Sequence, residues 1–515
     1  MTAAIMLPWL NPFAPGPSPA VVPWLVALAA TACLILLTLL RTSSGDAIGG
    51  ATCAQRWACL VAWAWLLAGL LSSAIGLWQY FGAGSGFLPW INQTQLGEAF
   101  GNLRQRNQFA SLTNMALAAL LWLALSGRVS AKREPLSWLA ACLLAAGAAA
   151  SSSRTGLLQL VLLCLLFGVW GAWRQRLIRR LLLAALLSYA LATLLLPWLA
   201  GLDPSVHGSF ARLRSGDVVC ASRLTLWSNV LQLIAQKPWS GWGWGELDYA
   251  HYMTLYPGAR FCDILDNAHN LPLHLAVELG IPLALLFCSL LTWLILRARP
   301  WRESDATRQL AWSVLALIGL HSLLEYPLWY GPFQIALGLC LGLLWMPTAR
   351  AGETQLQVQA LTSNSLFALW VRGFVAIIMI VLSGYAAYDY YRVSQIYLAP
   401  GARDAAYRDD TLIKISGTRL FASQYHFAQL SLTPLTAENA AQMHALSSAL
   451  LHYSPEPRVI EKLIDSALLL ERDDEASLHI ARYRAAFPKE YEQWRKERKL
   501  GDAPRPGALL RVLPD

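Results

Sequence analysis

Long apolar runs separated by short polar stretches fill the chain as far as Tyr388. Several runs approach the roughly 20 residues a helix needs to cross a bilayer. Ten spans are predicted: about Ala20–Leu40, Trp57–Tyr80, Phe109–Leu125, Leu136–Ala150, Gly156–Trp173, Leu181–Leu199, Leu273–Leu296, Leu310–Leu324, Gly331–Met346 and Trp370–Tyr388. The fourth, AACLLAAGAAASSS, is rich in small residues, which let helices approach one another closely. Met1–Leu10 is apolar but too short to span, and the proline-rich Pro12–Pro23 follows it.

One polar stretch, Ala200–Pro272, exceeds ordinary loop length and therefore carries function or structure of its own. Within it, Leu224–Ala235 has helical apolar spacing, as for an amphipathic helix on or in the membrane interface. Pro238–Glu246, PWSGWGWGE, is turn-rich, with aromatics suited to headgroup depth. After Tyr388 the pattern becomes that of a soluble helical domain. Thr436–Asn439 opens a helix toward Tyr453, and Ser454–Pro457 breaks it. Arg458–Leu470 and Glu475–Phe487 read as one helical-repeat hairpin of TPR-like appearance, without a second clear copy. The predicted fold is all-α and polytopic: a short segment 1–19, a membrane domain 20–388 with the loop 200–272, and a helical domain 389–515.

Composition agrees. With 56% hydrophobic residues and a mean hydropathy of +0.42, the chain is neither an ordinary soluble protein nor a disordered one. The net charge of +9 invites a nucleic-acid reading, but the whole excess lies before Asp389, and the tail is balanced. The basic residues sit in alternate loops, around Arg41 and Arg56, Arg128–Arg133, Arg174–Arg180, Arg297–Arg308, and Arg350 and Arg372. By the positive-inside rule those loops face the cytoplasm. The opposite face then receives Phe81–Asn107, Ser151–Thr155, the long loop, Glu325–Tyr330 and the tail. The start of the chain lacks a cleavable signal pattern. Six of the nine cysteines lie within apolar runs and read as small hydrophobes. Cys220 and Cys262 are the only two in the long loop, on the side where disulfides persist, and are candidates for a bond.

The polar residues that stand out gather on that same face. They are Arg106 and Asn107 in RQRNQ, Arg154 in SSSR, Arg223 in SRLTLW, and Asp266, His269, Asn270 and Glu278 in DNAHNLPLHLAVELG. His321, Glu325 and Tyr326 in HSLLEY complete the set. Each has a bland reading: snorkelling arginines, helix-face pairs for His321–Glu325 and His274–Glu278, a histidine capping the helix after it. Together, several arginines and a histidine suit an anionic, phosphate-bearing substrate, since arginine matches phosphate oxygens bidentately and histidine takes a proton near neutral pH. The sequence has no DxD, HExxH, phosphate-loop or G-x-S-x-G pattern, and neither metal nor cofactor is expected, a metal held by Asp263, Asp266 and His269 being the lesser alternative.

These residues carry a resemblance. RNQFA, SSSRTG, SRLTLW, KPWSGWGWGE, HNLPLHLAVELG and HSLLEYPLWY resemble the O-antigen ligase/Wzy polymerase superfamily, and within it the bacterial protein O-oligosaccharyltransferases of PglL type. The His-Asn-Leu segment, with Glu278 nine residues after His269, is its most specific part. The resemblance implies a glycan donor on undecaprenyl pyrophosphate and a hydroxyl acceptor on a periplasmic or pilin-like protein. It implies an inner-membrane location and metal-independent, inverting transfer, with His269 as base and Arg154 and Arg223 on the diphosphate; Arg106, on the same face, is expected to join them. Ligation to lipid A core or chain polymerisation is the alternative, and a lipid-linked sugar transporter a more distant one; no nucleic-acid partner is expected. Members usually begin with a further full span, so this chain is expected to start late relative to them.

Overall fold

The computed structural model describes residues 1–41, 53–203, 219–346 and 366–501. Arg350, residues 204–218 of the long loop and residues 502–515 lie outside them. Every regular element among the described residues is helical. In chain order the principal ones are α1 Thr2–Leu10, α2 Val21–Arg41, α3 Cys53–Tyr80, α4 Arg106–Leu125, α5 Glu134–Ala150, α6 Arg154–Val169 and α7 Arg176–Leu199. Then come α8 Arg223–Gln236, α9 Leu247–Met253, α10 Leu271–Leu279, α11 Ile281–Ala298, α12 Ala306–Ser322, α13 Gly331–Trp345 and α14 Leu366–Ser394. The tail holds α15 Ala422–Leu432, α16 Ala440–Leu450, α17 Pro457–Leu469, α18 Asp473–Ala486 and α19 Pro488–Gly501.

Six helices among the described residues, α2, α3, α4, α7, α11 and α14, are long and apolar enough to cross a membrane. The predicted spans at α5, α6, α12 and α13 are helices of 17, 16, 17 and 15 residues. At 1.5 Å per residue these are roughly 23–26 Å long. The predicted span Leu273–Leu296 is corrected. The chain breaks at Gly280, in the left-handed half of backbone space at φ 86°, so α10 ends at Leu279 and the apolar span begins at Ile281. His274 and Glu278 therefore precede the span.

The chain divides into two compact units. The first comprises Met1–Gly216 and Thr292–Ala387. Its core gathers Ile5 and Trp9 of α1, Trp65 of α3, Leu112 and Trp122 of α4, Phe167 of α6, Val314 of α12 and Phe333 of α13. From Gln108 to Leu123, α4 is buried throughout. Small residues permit this: a Cβ on Gly69 would stand 2.3 Å from that of Ala116, and one on Gly156 2.5 Å from that of Ala110. The segment leading into α4 is held by buried Gln79. Its Nε2 donates to Asn92 O and Gly101 O at 2.8 Å, and its Oε1 accepts from Gly101 N at 2.8 Å.

The second unit comprises Asp217–Leu291 and Tyr388–Asp515. Long loop and tail fold together in it. Leu226, Val230 and Leu233 of α8 pack with Leu247 of α9, Leu265 and Val277 of α10. The apolar stripe of α8, predicted to face the membrane interface, thus faces protein, leaving Leu224 and Leu231 exposed. The short helix α9 also reaches into the tail: Tyr252 is buried with Phe427, Met443, Val459, Ile464 and Tyr483. Its hydroxyl shares a 3.0 Å hydrogen bond with His479 Nδ1, and Arg482 Nε donates to Met253 O at 2.8 Å. Tyr249 stacks on His452 at 3.9 Å, and His452 Nδ1 meets Glu246 Oε2 at 2.7 Å. Removing the buried ring by Tyr252→Ala is expected to cost about 3–5 kcal/mol. Tyr252→Phe, losing only the hydroxyl's bond, should cost about 1 kcal/mol. Thermal unfolding and the rate of proteolytic release of the tail would check both.

Candidate functional site

A helix start leaves its first backbone N–H groups without intrahelical partners, and a side-chain oxygen one residue ahead supplies one. Four of the singled-out segments do this in the same way. Gln105, Ser153, Ser222 and Asn270 accept from the backbone N–H three residues on, at Gln108, Gly156, Thr225 and Leu273. Arg106, Arg154 and Arg223 each stand at the first helical position after the cap. A cation there faces the positive end of the helix dipole, unfavourable by about 0.3–1 kcal/mol. The same arrangement, guanidinium plus oriented N–H groups, is favourable for an anion.

The residue before three of these caps is strained. Arg104, Ser152 and His269 have φ of 59°, 51° and 51°. A left-handed conformation costs a non-glycine residue roughly 1–2 kcal/mol. At His269 the turn is supported by a 2.9 Å hydrogen bond from its N–H to Asn267 Oδ1. The cap of α10 is Asn270, not His269, which corrects the reading of this histidine as a helix cap.

In the first unit three segments meet at Asn107. Its Oδ1 accepts from Ser153 Oγ at 2.6 Å, and its Nδ2 donates to Glu325 Oε1 at 3.0 Å. The start of α4, the SSSR turn before α6 and the end of α12 are thereby tied together. Arg106 forms an ion pair with Glu98; Arg154 lies at the surface. Below them Ser111 Oγ shares a 2.9 Å hydrogen bond with His321 Nδ1, and Gln159 Nε2 donates to Ser111 Oγ at 2.8 Å and Leu317 O at 3.0 Å. His321 and Glu325 are not a helix-face pair: α12 ends at Ser322, so Glu325 lies past it. Tyr326 stacks with Tyr330 at 5.7 Å. Ser111, Gln159 and Glu98 were not singled out from the sequence. Polar residues inside the apolar runs of α4 and α6 were the available signal.

In the second unit Cys220 and Cys262 are joined, with Cα atoms 5.2 Å apart. The bond, between cysteines 42 positions apart, ties the approach to α8, where Arg223 is half-buried, to the segment preceding His269. Trp227 Nε1 makes a second tie, donating to Ala268 O at 3.1 Å. Exposed Asp266 and half-buried His269 are near enough for their charges to interact. The turn-rich loop grips the far end of α10. Trp242 N donates to Val277 O at 2.9 Å and Gly243 N to Glu278 O at 3.0 Å. A Cβ on Gly241 would come within 2.3 Å of Glu278 O, so only glycine fits.

His274 and Glu278 do form the predicted pair, buried, with Nε2 and Oε2 3.5 Å apart. Burial pushes the Glu278 carboxyl up to about 7, and pushes His274 down to about 4. Among the described residues no three His, Cys, Asp or Glu are grouped to hold a metal ion.

Two outcomes follow from this geometry. In the chain-entropy model, reducing the Cys220–Cys262 bond should destabilise the second unit by about 4 kcal/mol, measured as a fall in melting temperature with reductant and confirmed by a non-reduced peptide map. The buried pair makes opposing contributions. Glu278, whose folded pKa is raised, loses stability as pH rises from the unfolded value near 4.5 through about 7. His274, whose folded pKa is lowered, gains stability as pH rises from about 4 to the unfolded 6.5. Glu278→Gln removes only the first, so its melting temperature relative to the native chain should climb between pH 5 and about 7.5.

Comparisons with known proteins fall on these same segments. Residues 139–288 match the family described as O-Antigen ligase, and residues 99–124 match that described as Protein glycosylation ligase. Residues 309–500 match the C-terminal part of the virulence factor membrane-bound polymerases. The chain is homologous to a general O-oligosaccharyltransferase of Acinetobacter baylyi, 25% identical over 344 residues, which are 64% of this chain and 56% of that protein. It also matches the ComP-specific O-oligosaccharyltransferase of the same organism, 25% identical over 285 residues, 55% of this chain and 50% of that one. The chain thus matches about half the length of these curated relatives. No solved structure matches it significantly.

Proposed function

We propose that this homologue of O-oligosaccharyltransferases moves a glycan from undecaprenyl pyrophosphate to a serine or threonine hydroxyl of a periplasmic or pilin-like protein. The carrying observation is the recurrence of one device: Arg106, Arg154 and Arg223 each at the first position of a capped helix. Guanidinium and helix N–H groups suit the oxygens of a diphosphate leaving group, and preorganised donors of this kind stabilise developing charge. The remaining task is to make a neutral hydroxyl nucleophilic. His269, held half-buried in a strained turn ahead of α10, is the general base. In the reaction the acceptor oxygen attacks the anomeric carbon and its proton passes to His269. The bond from that carbon to the diphosphate oxygen breaks, and the lipid diphosphate leaves with the electron pair. Direct displacement inverts the anomeric centre, and no step calls for a metal. Asn107, with Glu325 and Ser153, holds the arginine-bearing helix starts in register; Asn270 and the buried Glu278 do the same for α10.

On this reading the chain crosses a bacterial inner membrane ten times, with the shorter apolar helices crossing as well, and the site and tail face the periplasm. The match of residues 139–288 to the O-Antigen ligase family favours a second reading, in which the acceptor is lipid A core. Transfer by the purified full chain, with lipid-linked glycan and either a pilin-like protein or lipid A core, separates the two. His269→Ala is expected to lower turnover at least 100-fold. Arg154→Ala and Arg223→Ala should each lower it by roughly 10²–10³, at saturating acceptor. Near-normal turnover by the histidine variant removes the base assignment, transfer only to lipid A core overturns the protein acceptor, and loss of activity with chelator, restored by divalent metal, overturns the metal-free scheme.

A further inference from the structure

The loop Lys237–Glu246 carries three tryptophans that the structure treats differently. Trp242 packs in the core of the second unit, its Nε1 donating to Leu233 O at 3.0 Å and Lys237 Nζ lying 4.1 Å over its ring. Trp239 points outward, 81% exposed, while Trp244, 62% exposed, also sets its ring edge-on to that of buried His274 at 6.1 Å. Single exposed indoles are ordinary, but a contiguous apolar patch, here the loop's indoles beside an exposed apolar helix, calls for an explanation.

Their position supplies it. Ile281 N, the first residue of the apolar span α11, donates to Pro238 O at 2.8 Å. A Cβ on Gly280 would stand 2.2 Å from Trp239 O, so backbone meets backbone there. The span itself is exposed, with Leu283, Leu285, Leu286, Phe287, Leu290 and Leu291 all open. A helix apolar on every side faces lipid, and its first residue marks the edge of the hydrocarbon. Trp239 therefore sits where hydrocarbon gives way to headgroups, the depth at which an indole's apolar body and polar N–H are both satisfied.

We infer that Trp239, assisted by Trp244, is an anchor for the lipid headgroup layer that fixes the depth of α10. The loop that carries both tryptophans also holds the Val277 and Glu278 carbonyls. Leu279 lies ten positions after His269, eight of those steps within the helix, so the histidine is held within about 20 Å of the anchored end. A lipid-linked diphosphate lies in that same headgroup layer. The consequence for activity rests on the proposed donor; the anchoring itself does not.

The test has two arms. In the first, a fluorophore is attached at Trp239→Cys, in full-length protein whose seven free cysteines are replaced by serine, reconstituted in phosphatidylethanolamine–phosphatidylglycerol vesicles. Quenching by a headgroup-level lipid nitroxide should exceed quenching by aqueous iodide; the reverse order overturns the anchor. In the second arm, Trp239→Ala should raise KM for the lipid-linked donor roughly tenfold, or about 1.4 kcal/mol, with kcat retained. KM for a short-chain, water-soluble donor should not change, and Trp239→Tyr should restore the native value. An equal loss with both donors, or no rescue by tyrosine, overturns the depth-setting role. If the native chain uses no lipid-linked donor, the proposed function fails while the quenching arm still decides the anchor.

Discussion

A backbone amide at the start of a helix has no carbonyl to meet, and much of this molecule is arranged around that fact. At four helix starts a side chain one residue ahead takes up the third N–H. What remains is a small positive field, and the chain places an arginine in it three times. For stability alone the choice is poor, since acidic residues belong there. The left-handed residues just before three of the caps point the same way, because local strain persists where surrounding structure enforces it and collects at functional positions.

The two units meet this requirement by different means. In the first, one amide side chain does most of the work. Asn107 both accepts and donates, so the turn before α6 and the segment after α12 are fixed against the start of α4. The close helix contacts at Gly69 and Gly156 make that register rigid. In the second unit register comes from a covalent bond and from backbone contacts. The disulfide and the Trp227–Ala268 hydrogen bond hold the front of α10, and the glycine-rich loop holds its back.

Much of this was legible in the sequence. Apolar periodicity marks the helices, and Arg106, Arg154, Arg223 and His269 stand out in the sequence by their chemistry alone. Periodicity works because its cause is local, whereas the caps at Ser153, Ser222 and Asn270 go unmarked and His269 reads as standing in the place of Asn270. The Cys220–Cys262 pairing was legible too, but other readings did not carry over. Glu325 and His321 looked like a helix-face pair because their spacing is four, but the helix ends at Ser322, three residues before Glu325. The span predicted from Leu273 ran through Gly280 because hydropathy carries no record of a backbone break. The outward stripe of α8 faced protein because its partners lie tens of residues away. The union of loop and tail left no trace in the sequence, since Tyr252 and His479 reveal each other only in space.

That union has a consequence for how the chain is made. Tyr252 needs Met443, Ile464 and Tyr483, which the ribosome adds about 200 residues later. At 5–20 residues per second the wait is roughly 10–40 seconds. Throughout it Tyr252 and its neighbours Tyr249 and Met253 stand uncovered, and transiently exposed apolar surface is an aggregation hazard. The Cys220–Cys262 bond needs only segments already synthesised. It gives the nascent loop a provisional closure, a holding shape kept until the C-terminal helices arrive to complete it.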